Sequence, residues 1–260
     1  MQSDGSGIFF LDEDLASELP YWIQSGLNTT ETLVWVRIPV LPAGGKSISL
    51  ALGSSASGVA NQMAATIPAL TNAVVWLDTS RGVITNGAAV TQWNDQSGQG
   101  MNATVGGQSP TYLIKGRNGV PVIRMNTTQW MQVNRNFSTP YTMMYAGRMT
   151  GGTEQRVLSS RNSNWLLGFW GWYMHVFYAE GWVGSSSYAN ADDNWHMYAG
   201  IGNGSTSTIF ADGQQVQQAS NGNRGPQVIQ LNGYGGGSEM SDCEFGDVLG
   251  FAKALSVTER

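Results

Sequence analysis

Short runs of strand-forming residues recur along this chain, and each run is bounded by Gly, Asn, Pro or another turn residue. Almost none of the runs shows the 3.6-residue spacing of an amphipathic helix. Asp212-Gly213, between two of the runs, is typical of a tight hairpin turn. Many short strands separated by turns are typical of a sandwich or jelly roll. We therefore predict an all-β, antiparallel two-sheet β-sandwich over residues 73–260, with less than about 10% helix.

The pattern changes before residue 73, and this change predicts the domain organisation. Residues 58–72 lack strand alternation and contain a proline, so they are predicted to be a connector. Residues 1–57 are predicted to be a partial N-terminal β domain with strands over 7–11, 33–40 and 47–52. Three or four strands make a poor independent core, so this small unit is expected to need further structure against which to pack.

Composition excludes several classes of protein. Charged residues make up only 12% of the chain and the net charge is −5, with no basic run that could neutralise a phosphate backbone, so nucleic acid is not an expected partner. Membrane insertion is not expected either, because no apolar run approaches the roughly 20 residues needed to span a bilayer. Cys243 is the single cysteine, which excludes an intramolecular disulfide and a cysteine-based metal site.

Five motifs of the second unit resemble the concanavalin A-like, or laminin-G-like, lectin domains of bacterial surface and phage proteins. They are VWLD at 75–78, WNDQSGQGMNAT at 93–104, NWH at 194–196, FADG at 210–213 and GDVL at 246–249. The resemblance covers about residues 73–260 and implies the same sandwich fold, with Trp76, Trp93 and Trp195 mostly buried. It does not imply one ligand, because this fold hosts sugar binders, protein binders and structural units.

The N-terminal part resembles the C-terminal half of a domain of unknown function that often precedes such lectin domains. The motifs concerned are FLD at 10–12, ELPYWI at 18–23 and VWVRIP at 34–39. Only half of that domain is recognisable, and the lectin-like part also ends earlier than in similar proteins. The resemblance therefore implies that the chain is a segment of something longer.

The segment from Trp93 to Gly98 is the sharpest local motif. Asp and Ser two residues apart fold back on backbone amides in Asx and Ser/Thr turns, so one interpretation is a structural turn. The alternative is a Ca²⁺ site built from carboxylate, amide and carbonyl oxygens. Asp95 is the first candidate ligand, followed by Asn94 and Asp78. No cofactor other than this Ca²⁺ ion is expected.

The most aromatic stretch of the chain is 164–182, which reads NWLLGFWGWYMHVFYAEGW. If this stretch forms two strands joined near Gly168 to Gly171, alternation sends some rings to the core and others outward. Outward Trp and Tyr rings are the usual platform for the C–H faces of sugars. A protein contact and ordinary core packing are the alternatives. The candidate carbohydrate-binding residues are Trp170, Trp172, Tyr173, Tyr178 and Trp182.

Catalytic and zinc chemistry have little support in the sequence. His175 and His196 are the only histidines, and no Cys or acid lies at ligand spacing, so His196 is expected to make a structural hydrogen bond. Asp242 and Glu244 would share one face of an unbulged strand, whereas Glu239 would point the other way. Two acids without a third in register are more typical of a solvated face than of a glycoside hydrolase, so no catalytic residue is predicted.

Three functions are compatible with this pattern. The first is a non-catalytic, surface-displayed or extracellular module that binds carbohydrate or serves in adhesion. The second is a structural component of a virion, such as a tail, fibre or capsid-decoration protein, or a subunit of an extracellular filament. A sandwich-fold glycoside hydrolase is the third and least supported. The expected partners are a glycan or another surface ligand, and other copies or neighbours in an assembly.

Overall fold

A computed structural model describes residues 7–53, 62–184 and 188–260 of the chain. The chain divides into two compact units. One comprises Met1–Asn72 with Glu259, and the other comprises Ala73–Thr258 with Arg260. The described residues of the predicted connector, 62–72, lie in the first unit. No helix in the described part of the chain is long and apolar enough to cross a membrane.

The described residues of the first unit, 7–53 and 62–72, form two small antiparallel sheets, one helix and one 3₁₀ helix. The sheet orders are β2–β1–β5 and β3–β4. Ile8, Tyr21 and Ile23 form its buried core. Leu50 and Leu52 pair across the sheet with β1, so they continue its apolar face, yet they are 61% and 71% exposed. The elements are β1 Ile8–Leu11, β2 Glu18–Leu19, β3 Tyr21–Ser25, β4 Leu33–Val36, β5 Ser49–Leu52, α1 Met63–Thr66 and the 3₁₀ helix Pro68–Asn72.

The second unit is built from strands and turns, and its described residues contain no helix. Its strands are β6 Ala73–Leu77, β7 Val83–Asn86, β8 Ala89–Trp93, β9 Ala103–Val105, β10 Thr111–Arg117, β11 Val120–Met125, β12 Met131–Phe137, β13 Tyr141–Met149, β14 Leu158–Ser160, β15 Trp165–Trp170, β16 Tyr173–Ala179, β17 Ala189–Asn190, β18 His196–Gly202, β19 Ser207–Ala211, β20 Gln214–Ala219, β21 Gln227–Leu231 and β22 Cys243–Phe251.

These strands form two antiparallel sheets. Sheet I has the order β10–β11–β22–β13–β18–β19–β20, with β6 paired to the second half of β22. Sheet II has the order β7–β8–β9–β12–β21–β14–β15–β16–β17. One pair of residues, Thr111 of β10 and Ala89 of β8, joins the two sheets at an edge. The predicted all-β antiparallel sandwich is confirmed.

Alternation along each strand places the core between the sheets. In β13 the inward residues Tyr141, Met143 and Tyr145 are buried, and they meet inward residues of sheet II. Trp76 and Trp93 are buried and Trp195 is partly buried, so all three are mostly buried as expected from the resemblance. Two arginines pack over the Trp195 ring, Arg117 at 5.2 Å and Arg148 at 5.6 Å. The core is therefore a continuous apolar layer between two hydrogen-bonded sheets.

A buried side-chain amide joins two loops at one end of the sandwich, 126–130 and 232–242. The Nδ2 group of Asn232 donates to the carbonyl oxygens of Asn126, Gln129 and Ser241, each at 2.9 Å. Its Oδ1 accepts the Ser241 amide at 2.8 Å. Asn232 is fully buried and has a φ of 68°, a left-handed conformation that Asn tolerates better than most residues. The Asn232 side chain thus supplies the hydrogen bonds to neighbouring backbone groups at the point where β21 and its strand pairing end.

Replacing Asn232 with Ala should destabilise the second unit by about 3 kcal/mol or more. The substitution leaves buried carbonyl and amide groups without partners and adds the strain of a left-handed Ala. Asn203→Ala is the matched control, since Asn203 makes its turn hydrogen bonds at an exposed position and should cost less than about 1 kcal/mol. Guanidinium unfolding measures both. Equal destabilisation by the two variants would contradict the assignment.

Candidate functional site

A tight hairpin joins β15 to β16 at the edge of sheet II. Its two central residues, Gly171 and Trp172, have φ values of 46° and 39°, as a type I′ turn requires. Asn-Gly or Asp-Gly would satisfy this turn without strain, yet Trp172 occupies it and is 68% exposed. The tip is held from both sides, because the Gly171 amide donates to Gln155 and the Ala191 amide donates to the carbonyl of Trp172. The Trp172 ring is therefore held outward by a residue whose left-handed backbone is unfavourable for a bulky side chain.

The pairing of β15 with β16 separates the aromatic residues into two groups. Directly opposed residues of an antiparallel pair point to the same face. Leu167 opposes Phe177 on the core side, whereas Trp170 opposes Tyr173 on the outer side. Tyr178 is opposite Leu166, which also points outward. The aromatic stretch is therefore both core and surface, as alternation predicted.

Two further rings reach the outer side from the segment after β16. The chain turns back at Glu180, where φ is 56°, and Trp182 forms a bridge with Tyr178. The Trp182 ring lies 4.8 Å from that of Tyr178 and 5.3 Å from that of Trp170, between ring centroids. Tyr188 then packs against Trp182 at 5.5 Å and against Tyr173 at 6.1 Å. The five rings form one contiguous cluster.

We refer to Trp170, Tyr173, Tyr178, Trp182 and Tyr188, with Trp172 at the hairpin tip, as the aromatic face. Tyr173 and Trp182 are 41% and 37% exposed, and the other members of the ring cluster are partly buried. The structure brings together four of the five predicted residues and leaves Trp172 beside them. Sequence reasoning missed Tyr188, which lies outside the aromatic stretch; the only local signal was an aromatic residue at the start of a short strand.

An extra residue, His175, interrupts the pairing within this hairpin. Gly168 opposes Val176 and Phe169 opposes Met174, so His175 bulges out of register, with a φ of 63°. The bulge lies against sheet I. A Cβ on Gly168 would lie 2.1 Å from the Tyr145 hydroxyl oxygen and 2.7 Å from the ring of Tyr198, so only glycine fits there. The bulge therefore sets how the outer rings are presented.

Asp95, the first candidate Ca²⁺ ligand, is the centre of a backbone turn. One oxygen accepts the amides of Trp76 and Ser97, and the other accepts the Ser97 hydroxyl and the Met101 amide, at 2.7–3.0 Å. Burial alone would raise the pKa of Asp95, but these hydrogen bonds lower it overall. Asp95 thus ties the loop after β8 to strand β6.

Asp78 and Asn94 are also engaged by the protein. Asp78 is fully buried and accepts hydrogen bonds from the amide and hydroxyl of Ser80 and from Nε of Arg81. The Asn94 oxygen accepts Nε2 of Gln92 at 2.5 Å. Ca²⁺ needs six to eight oxygens converging on one point, and these oxygens point instead at N–H and O–H donors. The arrangement does not fit a Ca²⁺ site, and the described residues contain no cluster of three or more His, Cys, Asp or Glu that could hold a metal ion.

A second carboxylate, that of the partly buried Asp247, lies near Asp78. It accepts hydrogen bonds from the amide and hydroxyl of Thr79, at 2.8 and 2.9 Å. Burial, followed by the charge of Asp78, raises the pKa of Asp247 to about 6. Asp247 is part of the GDVL motif. This motif therefore forms part of a strand and also places one carboxylate in an unfavourable position near another, that of Asp78.

The acids considered for catalysis are each engaged by other groups of the protein, Glu244 and Glu239 in separate ion pairs and Asp242 by a backbone amide. Glu244 is fully buried, and its two oxygens bind Arg124 at 2.5 Å and Arg148 at 2.8 Å. The expectation of a solvated face is therefore wrong for Glu244, because outward positions of β11 and β13 supply arginines that cover it. Glu239 pairs with Arg156 at 2.6 Å, and Asp242 accepts the Thr153 amide. These contacts are structural.

Comparison with known proteins finds a similar domain family for residues 4–96 and a similar fold for much of the chain. Residues 4–96 match the model of DUF2341, a domain of unknown function. This match runs past the first unit into the loop that follows β8, and it supports the resemblance of the N-terminal part to a domain of unknown function. Among curated proteins, no sequence matches this chain.

Several solved structures are similar to the chain. The binding domain of Paraclostridial Mosquitocidal Protein 1 aligns with a TM-score of 0.52 and 15% identity, over 74% of this chain and 51% of that one. The botulinum neurotoxin serotype D binding domain aligns with a TM-score of 0.50 and 13% identity, over 73% and 50%. Domain 4 of AbnA, an extracellular arabinanase from Geobacillus stearothermophilus solved with arabinotriose, aligns with a TM-score of 0.47 and 12% identity, over 64% and 89%.

The chain spans about half the length of the two toxin domains that it matches. At these identities the likeness shows the fold, and the alignment of three quarters of the chain agrees with one large β-sandwich. The function of the chain is therefore inferred from its own residues.

Asp247→Asn should make the chain more stable at pH 7.5 and remove part of its pH dependence. A carboxyl whose pKa is raised from 3.8 to about 6 on folding binds protons more tightly in the folded state. The wild type should therefore gain up to about 3 kcal/mol as the pH falls from 7 to 4. Asn keeps an oxygen for Thr79 but carries no charge. Thermal unfolding across this pH range measures the effect.

Asp193→Asn is the control for this prediction, because it makes the same chemical change at an exposed position. Its pH profile of unfolding should parallel that of the wild type. If Asp247→Asn also parallels the wild type, the Asp247 carboxylate does not contribute to the pH dependence.

Proposed function

We propose that this chain is a non-catalytic binding module, surface-displayed or extracellular, whose aromatic face contacts a carbohydrate. The observation that carries the proposal is the outward, mutually packed set of Trp and Tyr rings on one edge hairpin. Trp172, Tyr173 and Trp182 are together the largest group of exposed aromatic residues in the described part of the second unit. Exposed apolar clusters of this kind mark contact sites, since a soluble surface gains nothing from them.

Ring geometry supports a sugar as the ligand. Trp and Tyr side chains offer a broad apolar surface with few rotatable bonds, which suits the C–H face of a pyranose or furanose. Exposed Asn190 pairs with Tyr173 across β16 and β17, so an amide lies on the same side as the rings. Amide groups beside an aromatic surface can bind sugar hydroxyls. The motifs also resemble concanavalin A-like lectin domains, a fold in which sugar binders are one of several functional classes.

The arrangement of the acids supports binding without cleavage. Glycoside hydrolysis uses two carboxyl groups that flank the scissile bond, roughly 5 to 9.5 Å apart. Glu244 and Glu239 are instead neutralised by arginines, and Asp242 accepts a backbone amide. Buried and paired carboxylates cannot easily exchange protons with a substrate.

The neighbouring structures add support of a general kind. Two of them are described as binding domains, and the arabinanase domain was solved with arabinotriose. A secreted or surface location agrees with this setting and with the polar, weakly charged composition. A structural role in a virion or filament would use the same face for contact with neighbouring copies instead.

A glycan array probed with the full chain tests the proposal. Trp172→Ala, Tyr173→Ala and Trp182→Ala should each weaken binding by about 1–2 kcal/mol, which is roughly five- to thirtyfold in Kd, because each removes an apolar contact with the sugar. Ile114→Ala is the matched control, since Ile114 is 67% exposed on a different strand. It should bind like the wild type.

A reducing-sugar assay on the bound polysaccharides tests the second half of the proposal. No product should appear. Product release would overturn the non-catalytic assignment. A triple variant combines Trp172→Ala, Tyr173→Ala and Trp182→Ala. If it binds the array as tightly as the wild type, the aromatic face is not the carbohydrate site, and a structural role becomes the better interpretation.

A further inference from the structure

A cluster of two histidines and two aspartates lies behind the aromatic face. His175 is the bulged residue of the β15–β16 hairpin, and His196 is the first residue of β18 in the opposite sheet. Their rings are perpendicular, with centroids 5.4 Å apart. They are the only histidines of the chain. The function proposed above does not use them.

The contacts of His196 require it to be protonated. Nδ1 lies 2.7 Å from Asp212 Oδ2, and Nε2 lies 3.0 Å from Asp192 Oδ1. A neutral imidazole has one N–H donor, whereas two carboxylate acceptors need two. The His196 side chain is 11% exposed. Burial alone would lower the pKa of His196, but the bonds to Asp212 and Asp192 raise it overall.

The contacts of His175 favour its neutral form. Its Nδ1 lies 3.2 Å from the Tyr198 hydroxyl, and its ring packs on that of Tyr198 at 5.7 Å. Burial, followed by the charge of His196, lowers the pKa of His175, although Asp212 and Asp192 partly oppose this effect. Tyr198 itself does not ionise in the working range, because burial raises its pKa. The pair is therefore most stable with His196 protonated and His175 neutral.

The position of His175 links this proton to the aromatic face. The residue carries the bulge between Tyr173 and Tyr178, and its left-handed backbone is held by its packing on Tyr198 and His196. If His175 were charged, it would lie next to a second imidazolium in a half-buried site. Opening the bulge would relieve this repulsion by exposing His175 to water, at the expense of the hairpin that presents the rings.

We propose that the His175–His196 pair is a pH-dependent latch on the aromatic hairpin, which is ordered while His196 is protonated and His175 is neutral. This inference rests on the proposed function only in its consequence for glycan binding. Order is lost on the acid side, because an open hairpin with a solvated His175 binds a proton more readily.

Two measurements on the full chain without any ligand test the latch. The first is an NMR titration of the imidazole ring signals, which are assigned by comparison with His175→Asn and His196→Gln. His196 should titrate above pH 6.5 and His175 below it. A common midpoint for both rings would overturn the proposal, and this result needs no variant to remain folded.

The second measurement is hydrogen exchange of amides 168–178, corrected for the intrinsic pH dependence of exchange. Opening of the hairpin should increase severalfold from pH 7 to pH 5, because the open state, in which His175 is solvated, binds a proton more readily than the ordered state. His175→Asn should abolish this increase, because Asn carries no charge and tolerates the left-handed backbone. Protection that stays constant in the wild type would overturn the proposal.

Repeating the glycan array at pH 5 and pH 7 connects the latch to binding. Wild-type signals should be weaker at pH 5, and those of His175→Asn should not change. Because the NMR and exchange measurements use no sugar, a chain that binds no glycan at either pH contradicts the proposed function alone. Glycan signals that fall equally in the wild type and in His175→Asn contradict the latch.

Discussion

The fit of the β15–β16 hairpin against sheet I is the contact on which the functional surface depends. The Tyr145 hydroxyl donates to the carbonyl of Leu167 at 2.9 Å, and Trp165 donates to the Tyr141 hydroxyl at 2.8 Å. Tyrosines of one sheet thus hold the backbone and core rings of the other. Because a buried polar group needs a partner, these bonds fix the depth and orientation of the hairpin as well as its stability. Gly168 is the position where the fit is tightest.

This fit explains why the bulge occurs where it does. Gly168 leaves room for Tyr145 and Tyr198, and the pairing resumes one residue later on the facing strand, so His175 is the extra residue. The inward rings Phe169 and Phe177 keep their places in the core, while the hairpin tip is turned. Trp182 and Tyr188 then pack on the outer side. A surface of mutually packed rings therefore follows from a constraint inside the sandwich.

Some of the few charged residues of the chain hold its interior together. Glu244 joins β22 to arginines of two neighbouring strands, and Asp95 gathers four donors around one loop. Such buried groups are stable only when their partners are complete, so losing one partner costs more than the pair contributes. Asp247 and the His175–His196 pair are the exceptions, because in each case two like groups lie close together. These are the positions where pH is expected to act on the fold.

Local sequence patterns determined the fold class and the positions of many strands. Strand-forming runs at 141–148 and 245–251 correspond to the strands Tyr141–Met149 and Cys243–Phe251, and Asp212-Gly213 forms the predicted turn with φ values of 50° and 81°. The strand Met131–Phe137 escaped prediction because a bulge after Val133 breaks its alternation. Patterns of period two depend only on neighbouring residues, which is why they can be recognised without a structure.

Alternation also indicated that Trp170, Trp172 and Tyr173 cannot all be core, which the hairpin pairing bears out. Only the tertiary structure decided which rings form a cluster and which acids are neutralised. Tyr188 joins the aromatic face through a chain reversal, and Glu244 meets Arg124 from 120 residues away. His175 lies against His196 because one register shift moves it out of the strand pairing. Contacts of this kind depend on register and on the packing of one sheet over another, and neither is encoded in the spacing of residues along a single strand.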